Sequence, residues 1–147
     1  MKLEGEFSIN APVERVWEML NDPAVIAKHL PGCDSLEPAG DDAYAAVLTI
    51  RIGPIKGTYQ AKLALSEKRP NEGYTLSIEG SGKPGFVKGT GQVRLVAEGG
   101  TTRLAYSGDL QIGGLIARVG QRMIGGISRQ MADKFFAGLG AEAEAGD

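Results

Sequence analysis

The spacing of apolar residues changes once along this 147-residue chain, and that change limits the folds open to it. From Tyr44 to Ile112 apolar residues mostly alternate with polar ones. From Gly113 to about Leu139 they recur every three or four residues. Alternation is typical of strands that bury one face, and the second spacing is typical of an amphipathic helix. The sequence therefore predicts one-sided strands followed by one long C-terminal helix.

Turn-forming residues separate the alternating segments and favour an antiparallel sheet. The breaks fall at Gly53-Pro54, Pro70–Gly73, Gly82–Gly85 and Gly99-Gly100. Short breaks of this kind form hairpins, which join antiparallel neighbours. Because each strand has one apolar face, one face of the sheet must be covered. Only the last helix is long enough to cover it.

The N-terminal segment predicts one further strand and two short helices. Residues 2–10 alternate, and Pro12 then marks a helix start. An apolar stripe with helical spacing follows, formed by Val13, Val16, Trp17 and Leu20. A second helix is predicted over 23–29, where Asp22 can cap it.

These elements predict an α+β fold in which a curved antiparallel sheet of about seven strands wraps around the long C-terminal helix. The two short helices follow strand 1. We expect one domain over residues 1–140, because no repeat or linker interrupts the pattern. The polar segment 141–147 is expected to be a frayed tail.

Charge and cysteine content exclude several classes of protein. The net charge is −2, and Lys and Arg are spread along the chain, so neither nucleic-acid binding nor a basic membrane-binding run is predicted. Cys33 is the only cysteine, which excludes an internal disulfide and favours a reducing compartment. Residues 1–6 lack an apolar stretch, so no signal peptide is expected. The predicted location is cytoplasmic.

Glycines in the C-terminal helix and tyrosines in the strands suggest a cavity. Gly120, Gly125 and Gly126 interrupt the helical pattern, and each costs about 1 kcal/mol relative to alanine. Close strand approach or a cavity beside the helix explains that cost. The inward strand faces carry Tyr44, Tyr59, Tyr74 and Tyr106. An apolar pocket with a few polar groups is typical of small-molecule sites.

Three candidate catalytic or cofactor motifs have simpler structural explanations. Residues 80–85 match G-x-G-x-x-G, but a strand follows instead of the helix that a dinucleotide site needs, which favours a turn. One histidine (His29) and one cysteine (Cys33) are too few for a zinc site. No G-x-S-x-G elbow occurs, so a packing role is favoured for His29. For Cys33, an inert buried thiol is the favoured interpretation. No catalytic residue and no metal is predicted.

The chain resembles the CoxG family of carbon monoxide dehydrogenase subunits, within the START-like superfamily of helix-grip (Bet v1-like) proteins. The resemblance is carried by four runs: FSINAPVERVW from Phe7, LNDP from Leu20, HLPGC from His29 and GGLI from Gly113. The first run is shared across the superfamily. The Leu-Pro-Gly-Cys run is more specific to CoxG proteins.

The resemblance implies a cavity protein that accompanies a molybdenum-containing CO dehydrogenase. Such proteins hold an apolar small molecule between helix and sheet and are thought to link the enzyme to the membrane by handling quinone. Relatives often carry a C-terminal extension that reaches the membrane. This chain stops at Asp147 without it, so contact with the inner face of the membrane is expected to be at most peripheral.

Our principal hypothesis is a non-enzymatic carrier of a quinone or lipid, with no covalent cofactor. The residues expected to line or gate its pocket are His29, Leu30, Tyr59, Phe86, Tyr106, Leu115, Val119 and Met123. A cyclase or dehydratase using the same cavity is the alternative, and it needs an acid or base inside. An adaptor or assembly factor for a molybdenum hydroxylase is the third hypothesis, and it rests on the resemblance alone.

Overall fold

The computed structural model describes residues 1–146, which form one antiparallel sheet and four helical segments. The strands are β1 (Lys2–Ile9), β2 (Cys33–Pro38), β3 (Ala43–Ile52), β4 (Ile55–Arg69), β5 (Gly73–Gly82), β6 (Gly85–Glu98) and β7 (Thr101–Gly113). The helices are α1 (Val13–Leu20), α2 (Pro23–His29), a 3₁₀ helix (Leu115–Val119) and α3 (Gln121–Glu144). The strand order is β1-β7-β6-β5-β4-β3-β2, so β2 to β7 form a continuous meander.

This architecture confirms the predicted fold class. The seven strands, the two short helices after β1 and the long C-terminal helix are all present. The alternating segments did not include β2, whose sequence CDSLEP carries little apolar pattern. Because β2 lies at the edge of the sheet and pairs only with β3, it needs no continuous apolar face.

The predicted single helix after Gly113 is interrupted. A 3₁₀ helix ends at Val119, and α3 begins only at Gln121. Gly114 and Gly120 have φ angles of 85° and 96°, which side-chain-bearing residues rarely adopt. A Cβ on Gly114 would also lie 2.6 Å from the Cα of Gly85. The apolar spacing continues across these glycines, although the backbone does not stay helical.

Residues 141–144 of the segment predicted to be a frayed tail are instead the last turn of α3. The helix continues to Glu144, and Ala143 is only 2% exposed. Arg15 Nε donates to the carbonyl oxygen of Ala143 at 2.9 Å, which satisfies a group that the helix end leaves free. The backbone N–H of Asn10 donates to the Glu144 carboxylate at 2.8 Å. The final predicted tail residue, Asp147, lies outside the described residues.

The core consists of two separate clusters. The larger one packs α1 and the C-terminal half of α3 against one end of the sheet, and Leu104, Phe136 and Leu139 belong to it. The smaller one lies where the 3₁₀ helix and the first turns of α3 meet β3 and β4. Its buried members are Ile52, Tyr59, Ile116 and Ile124.

Candidate functional site

A row of inward-facing residues crosses the middle of the sheet between the two core clusters. Leu63 pairs with Ile78, Ile78 with Gly89, and Gly89 with Leu110. These residues share the face that carries the core, yet Leu63, Ile78 and Leu110 are only half-buried. None of the three belongs to either cluster. Part of the inner face is therefore left uncovered.

The position of α3 explains the gap. Its backbone lies closest to β1, at one edge of the sheet, and it also contacts β3, α1, α2 and the 3₁₀ helix. The row runs from β4 through β5 and β6 to β7, and the backbone of α3 lies close to none of these four strands over any length. We call the uncovered region the interior crevice and define it by Leu63, Ile78, Gly80, Gly89 and Leu110.

Gly80 marks the open part of the crevice floor. A Cβ built on Gly80 would have only Ala61 Cβ, at 3.8 Å, and Gln60 O, at 3.9 Å, within 4 Å. Gly89 differs, because a Cβ there would lie 2.5 Å from Leu110 Cδ2. The crevice is thus occupied by Leu110 over Gly89 and has room for a further group over Gly80.

Tyr59 flanks the crevice and carries an unsatisfied polar atom. It lies two residues before Ala61 on β4 and is 4% exposed. Its hydroxyl is buried and has no hydrogen-bond partner among residues 1–146. Burial raises the pKa of this hydroxyl, which keeps it protonated as a donor. An unpaired buried hydroxyl costs about 1–3 kcal/mol, so an acceptor atom brought by a ligand would stabilise it once the side chains that cover the oxygen move aside.

The Tyr106 hydroxyl, in contrast, already has a hydrogen-bond partner within the protein. Its hydroxyl donates to Asp133 Oδ1 on α3 at 3.1 Å, and its ring stacks on Phe136 at a centroid distance of 5.0 Å. Burial, the Asp133 hydrogen bond and the Asp133 charge raise its pKa to about 12. The predicted ligand-binding residue Tyr106 therefore joins the sheet to the helix.

His29 also joins two helices, in agreement with the packing role that the sequence favoured. Its Nε2 lies 3.0 Å from Glu142 Oε1, and Lys28 Nζ donates to the same oxygen at 2.7 Å. A Cβ on Gly138 would lie 2.6 Å from His29 Nδ1, so the glycine lets the imidazole ring rest on α3. Leu30 follows as the half-buried C-cap of α2.

Replacing Glu142 with Gln is expected to remove an acid-sensitive part of the stability. Hydrogen bonds from Lys28 and then His29 hold the pKa of Glu142 below its ordinary value of 4.5. A lowered folded-state pKa stabilises the fold above the unfolded value, and this contribution disappears as the pH falls through the folded value. In urea unfolding, the unmodified protein should lose more stability than Glu142→Gln between about pH 5 and pH 3.

Glu18→Gln is the control for that comparison. Glu18 is exposed on α1 and forms no ion pair with the described residues. Its removal should leave the acid sensitivity of the unmodified protein in place. Equal pH dependence in all three proteins would contradict the role assigned to Glu142.

The other predicted pocket residues lie at one end of the molecule. Phe86 is 48% exposed on the outer face of β6, so it does not line the inner face. Phe86 and Lys88 are two residues apart on β6, so both side chains lie on the outer face, and the Phe86 ring lies beside Gly113. Leu115 and Met123 are 49% and 44% exposed, whereas Val119 is half-buried against the smaller core cluster.

The predicted residues are therefore not brought together at one site. Tyr59 alone flanks the interior crevice, while His29 and Tyr106 lie in structural contacts. Alternation had placed Leu63, Ile78 and Leu110 on inward faces, but sequence reasoning did not name them as site residues. Glycines on the same inward faces could have indicated the crevice, because they leave space beside the strand. They are Gly80, Gly89, Gly91 and Gly108.

Two surface depressions are also present, and Gly80 of the crevice floor contributes to the lining of the first. One of about 570 Å³ is on the outer face of the sheet, where Gln60, Lys62 and Phe86 contribute to its lining. The other, of about 390 Å³, lies along the exposed side of α3 around Arg129 and Lys134.

The candidate motifs of the sequence have ordinary structural roles. Residues 80–85 form the hairpin between β5 and β6, as the turn interpretation predicted. Within residues 1–146 no group of three or more His, Cys, Asp or Glu side chains is arranged to hold a metal. Cys33 is half-buried, and burial is the main cause that raises the pKa of its thiol. Over the same residues, no helix is long and apolar enough to cross a membrane.

Comparison with solved structures identifies the fold. A conserved protein from Geobacillus kaustophilus is 35% identical, with a TM-score of 0.94 over 99% of this chain and 96% of that one. The Zhui aromatase/cyclase from Streptomyces sp. R1128 is 16% identical, with a TM-score of 0.72 over 98% and 93%. A START superfamily protein from Mycobacterium smegmatis is 12% identical, with a TM-score of 0.73 over 98% and 97%.

The last two likenesses establish the fold alone, because their sequence identity is low. A search of curated protein sequences gave no significant match. The family comparison covers almost the whole chain, since residues 5–144 match the family model of CoxG, a carbon monoxide dehydrogenase subunit. This match confirms the resemblance seen in the sequence, and the chain belongs to the CoxG family.

Proposed function

We propose that this protein binds and carries a hydrophobic small molecule in the interior crevice. The observation that supports the proposal most directly is the buried Tyr59 hydroxyl, which lacks a partner within residues 1–146 beside an incompletely covered apolar floor. An apolar crevice with one polar group is the usual composition of a small-molecule site. The ligand would supply the acceptor that the protein does not.

The chemistry of the crevice favours a ligand with an apolar body and a carbonyl oxygen. Leu63, Ile78 and Leu110 offer apolar contact, and the protonated Tyr59 hydroxyl offers one hydrogen bond. A quinone has both features, and so does the ester region of a lipid. We propose a quinone, because membership of the CoxG family suggests a role beside CO dehydrogenase and electron transfer to the membrane.

Binding is proposed in preference to catalysis. General acid–base chemistry needs a titratable group beside the substrate. The five residues that define the crevice are apolar or glycine, and the nearby Tyr59 hydroxyl stays protonated. A cyclase or dehydratase reaction would have to draw its acid or base from elsewhere.

Equilibrium dialysis with ubiquinone-1, a short-tailed quinone, tests the proposal. Saturable binding with one site per chain is the expected result. Native mass spectrometry of the freshly purified protein should also detect a bound apolar molecule. Absence of saturable binding, together with an empty protein in the mass spectrum, would contradict the carrier function. Co-purification with a CO dehydrogenase tests the proposed partner separately.

Tyr59→Phe should change stability and ligand binding in opposite directions. Removing a buried hydroxyl that has no partner is expected to raise the free energy of unfolding by about 1 kcal/mol. The same change should weaken ubiquinone-1 binding about 3- to 10-fold, because one neutral hydrogen bond is lost. Urea unfolding and dialysis measure the two effects.

Tyr44→Phe is the matched control for Tyr59. Tyr44 is also a buried inward tyrosine, and it lies on β3 at the end of the crevice row. Its replacement should leave quinone affinity within about 2-fold of the original value. If Tyr59→Phe binds as tightly as the unmodified protein, the hydroxyl does not contact the ligand.

A further inference from the structure

The fold brings two hairpins, the 3₁₀ helix and the start of α3 together at one end of the molecule. The hairpin between β3 and β4 contacts the hairpin between β5 and β6, since a Cβ on Gly57 would collide with Pro84. The 3₁₀ helix joins them, because the N–H of Ile116 donates to the carbonyl oxygen of Pro84 at 2.8 Å. A Cβ on Gly53 would lie 2.6 Å from Met123 Sδ in the first turn of α3.

This end of the molecule is rich in cations, although the net charge of the whole chain is −2. Five exposed cations lie here: Arg51, Lys56, Lys83, Arg118 and Arg122. No Asp or Glu occurs within 43–66, 80–97 or 110–132, which supply the hairpins and helix start of this end. The nearest acid on the neighbouring strand β2 is Asp34, which accepts a hydrogen bond from Thr49. Within the described part of the chain, none of the five cations forms an ion pair. We call these five residues the basic end.

The opposite end of the meander carries the acids. Its turns and the strand ends beside them contain Asp41, Asp42, Glu72 and Glu98, of which Asp42 pairs with Lys68 and Glu98 with Arg103. Successive turns of an antiparallel meander fall at opposite ends of the sheet. Charged residues that are spread along the sequence can therefore be separated in the fold, with cations at one end and acids at the other. The sequence contains no basic run, as expected, but the fold gathers five exposed cations at one end.

Exposed apolar side chains lie at the same end. Four large apolar residues are exposed on the described surface, and three of them are Phe86, Leu115 and Met123. Phe86 follows the β5–β6 hairpin, Leu115 begins the 3₁₀ helix, and Met123 lies in the first turn of α3. These apolar groups are therefore interspersed with the cations of the basic end.

We propose that the basic end docks on an anionic lipid bilayer. Cations attract anionic headgroups, and apolar side chains among them gain free energy by entering the boundary between headgroups and acyl chains. The cations alone would also suit a nucleic acid, but nucleic-acid binding would not explain why Leu115 and Met123 are exposed beside them. This docking rests on the proposed carrier function, because a quinone carrier must meet the bilayer that holds quinone.

Vesicle binding tests the proposal. The protein should bind vesicles of phosphatidylcholine with about 30 mol % phosphatidylglycerol, and bind pure phosphatidylcholine vesicles much more weakly. The triple variant Lys56→Gln, Arg118→Gln, Arg122→Gln should bind the anionic vesicles about 100-fold more weakly. Leu115→Ser should weaken binding about 10-fold, because one exposed apolar side chain no longer enters the boundary.

The matched control removes three exposed cations elsewhere: Arg69→Gln, Arg94→Gln, Lys134→Gln. It changes the net charge equally and should reduce vesicle binding by less than about 3-fold. Equal losses in the two triple variants, or no vesicle binding by the unmodified protein, overturn the proposal. Capture of a CO dehydrogenase through the basic end without vesicle binding also overturns it. Ubiquinone-1 dialysis of each variant is independent of vesicles, so failure of the carrier function is distinguished from failure of docking.

Discussion

Replacing Gly80 by Leu is expected to weaken ubiquinone-1 binding about 100-fold while the protein stays folded. A Cβ at this position meets only ordinary van der Waals neighbours, so the strand accepts a side chain. The added isobutyl group would fill the open part of the interior crevice. Forcing a ligand into space that is already filled costs about 3 kcal/mol, which corresponds to the expected loss of affinity. Equilibrium dialysis measures the affinity, and circular dichroism and thermal unfolding check the fold.

Gly126→Leu provides the matched control, because it adds the same side chain on the exposed side of α3. A Cβ built on Gly126 has no atom within 4 Å. Quinone affinity should stay within about 2-fold of the unmodified value. A Gly80→Leu protein that is folded and binds ubiquinone-1 normally would show that the ligand does not occupy the crevice. An equal loss in both variants would point to a general effect of added apolar surface.

Phe136→Ala is expected to destabilise the protein by about 3–5 kcal/mol, the usual cost of removing a buried phenylalanine side chain. Phe136 is 8% exposed and lies at the centre of an aromatic group. Its ring centroid is 5.0 Å from that of Tyr106, 5.8 Å from Phe7 and 5.1 Å from Phe135. Phe136 belongs to α3 and its partners Phe7 and Tyr106 belong to β1 and β7, so its removal is expected to weaken the packing of the helix on the sheet.

The same truncation at Phe86 should cost less than about 1 kcal/mol, because that ring is 48% exposed. Urea unfolding of the two variants under identical conditions gives the comparison. A loss at Phe136 no larger than the loss at Phe86 would mean that the larger cluster does not hold α3 against the sheet.

Much of the fold could be predicted because its signals are local. Alternation defines a strand over a few residues, and Gly and Pro mark the hairpins that join successive strands. The break at Gly120 was missed because apolar spacing continues through it, and the positive φ angle is a property of the backbone. The order at Ala143 was missed because it depends on Arg15, which is distant in sequence.

The candidate site was harder to predict because its defining features are absences. Nothing in the sequence marks Tyr59 as lacking a hydrogen-bond partner, while Tyr106 finds one in Asp133. The glycines of the C-terminal helix suggested a cavity, but Gly126 faces outward and Gly120 lies at a helix junction. The informative glycine proved to be Gly80, on a strand.

The pairing of β1 with β7 has a consequence for how the chain folds during synthesis. Lys2 lies opposite Asp109 in that ladder, so the first of the seven strands to be synthesised waits for the last one. The meander from β2 to β7 can assemble by successive local hairpins, which form quickly. Until β7 and α3 emerge, β1 carries an unpaired backbone and an uncovered apolar face around Phe7. Nascent-chain stability should therefore rise sharply only once β7 and α3 have been synthesised.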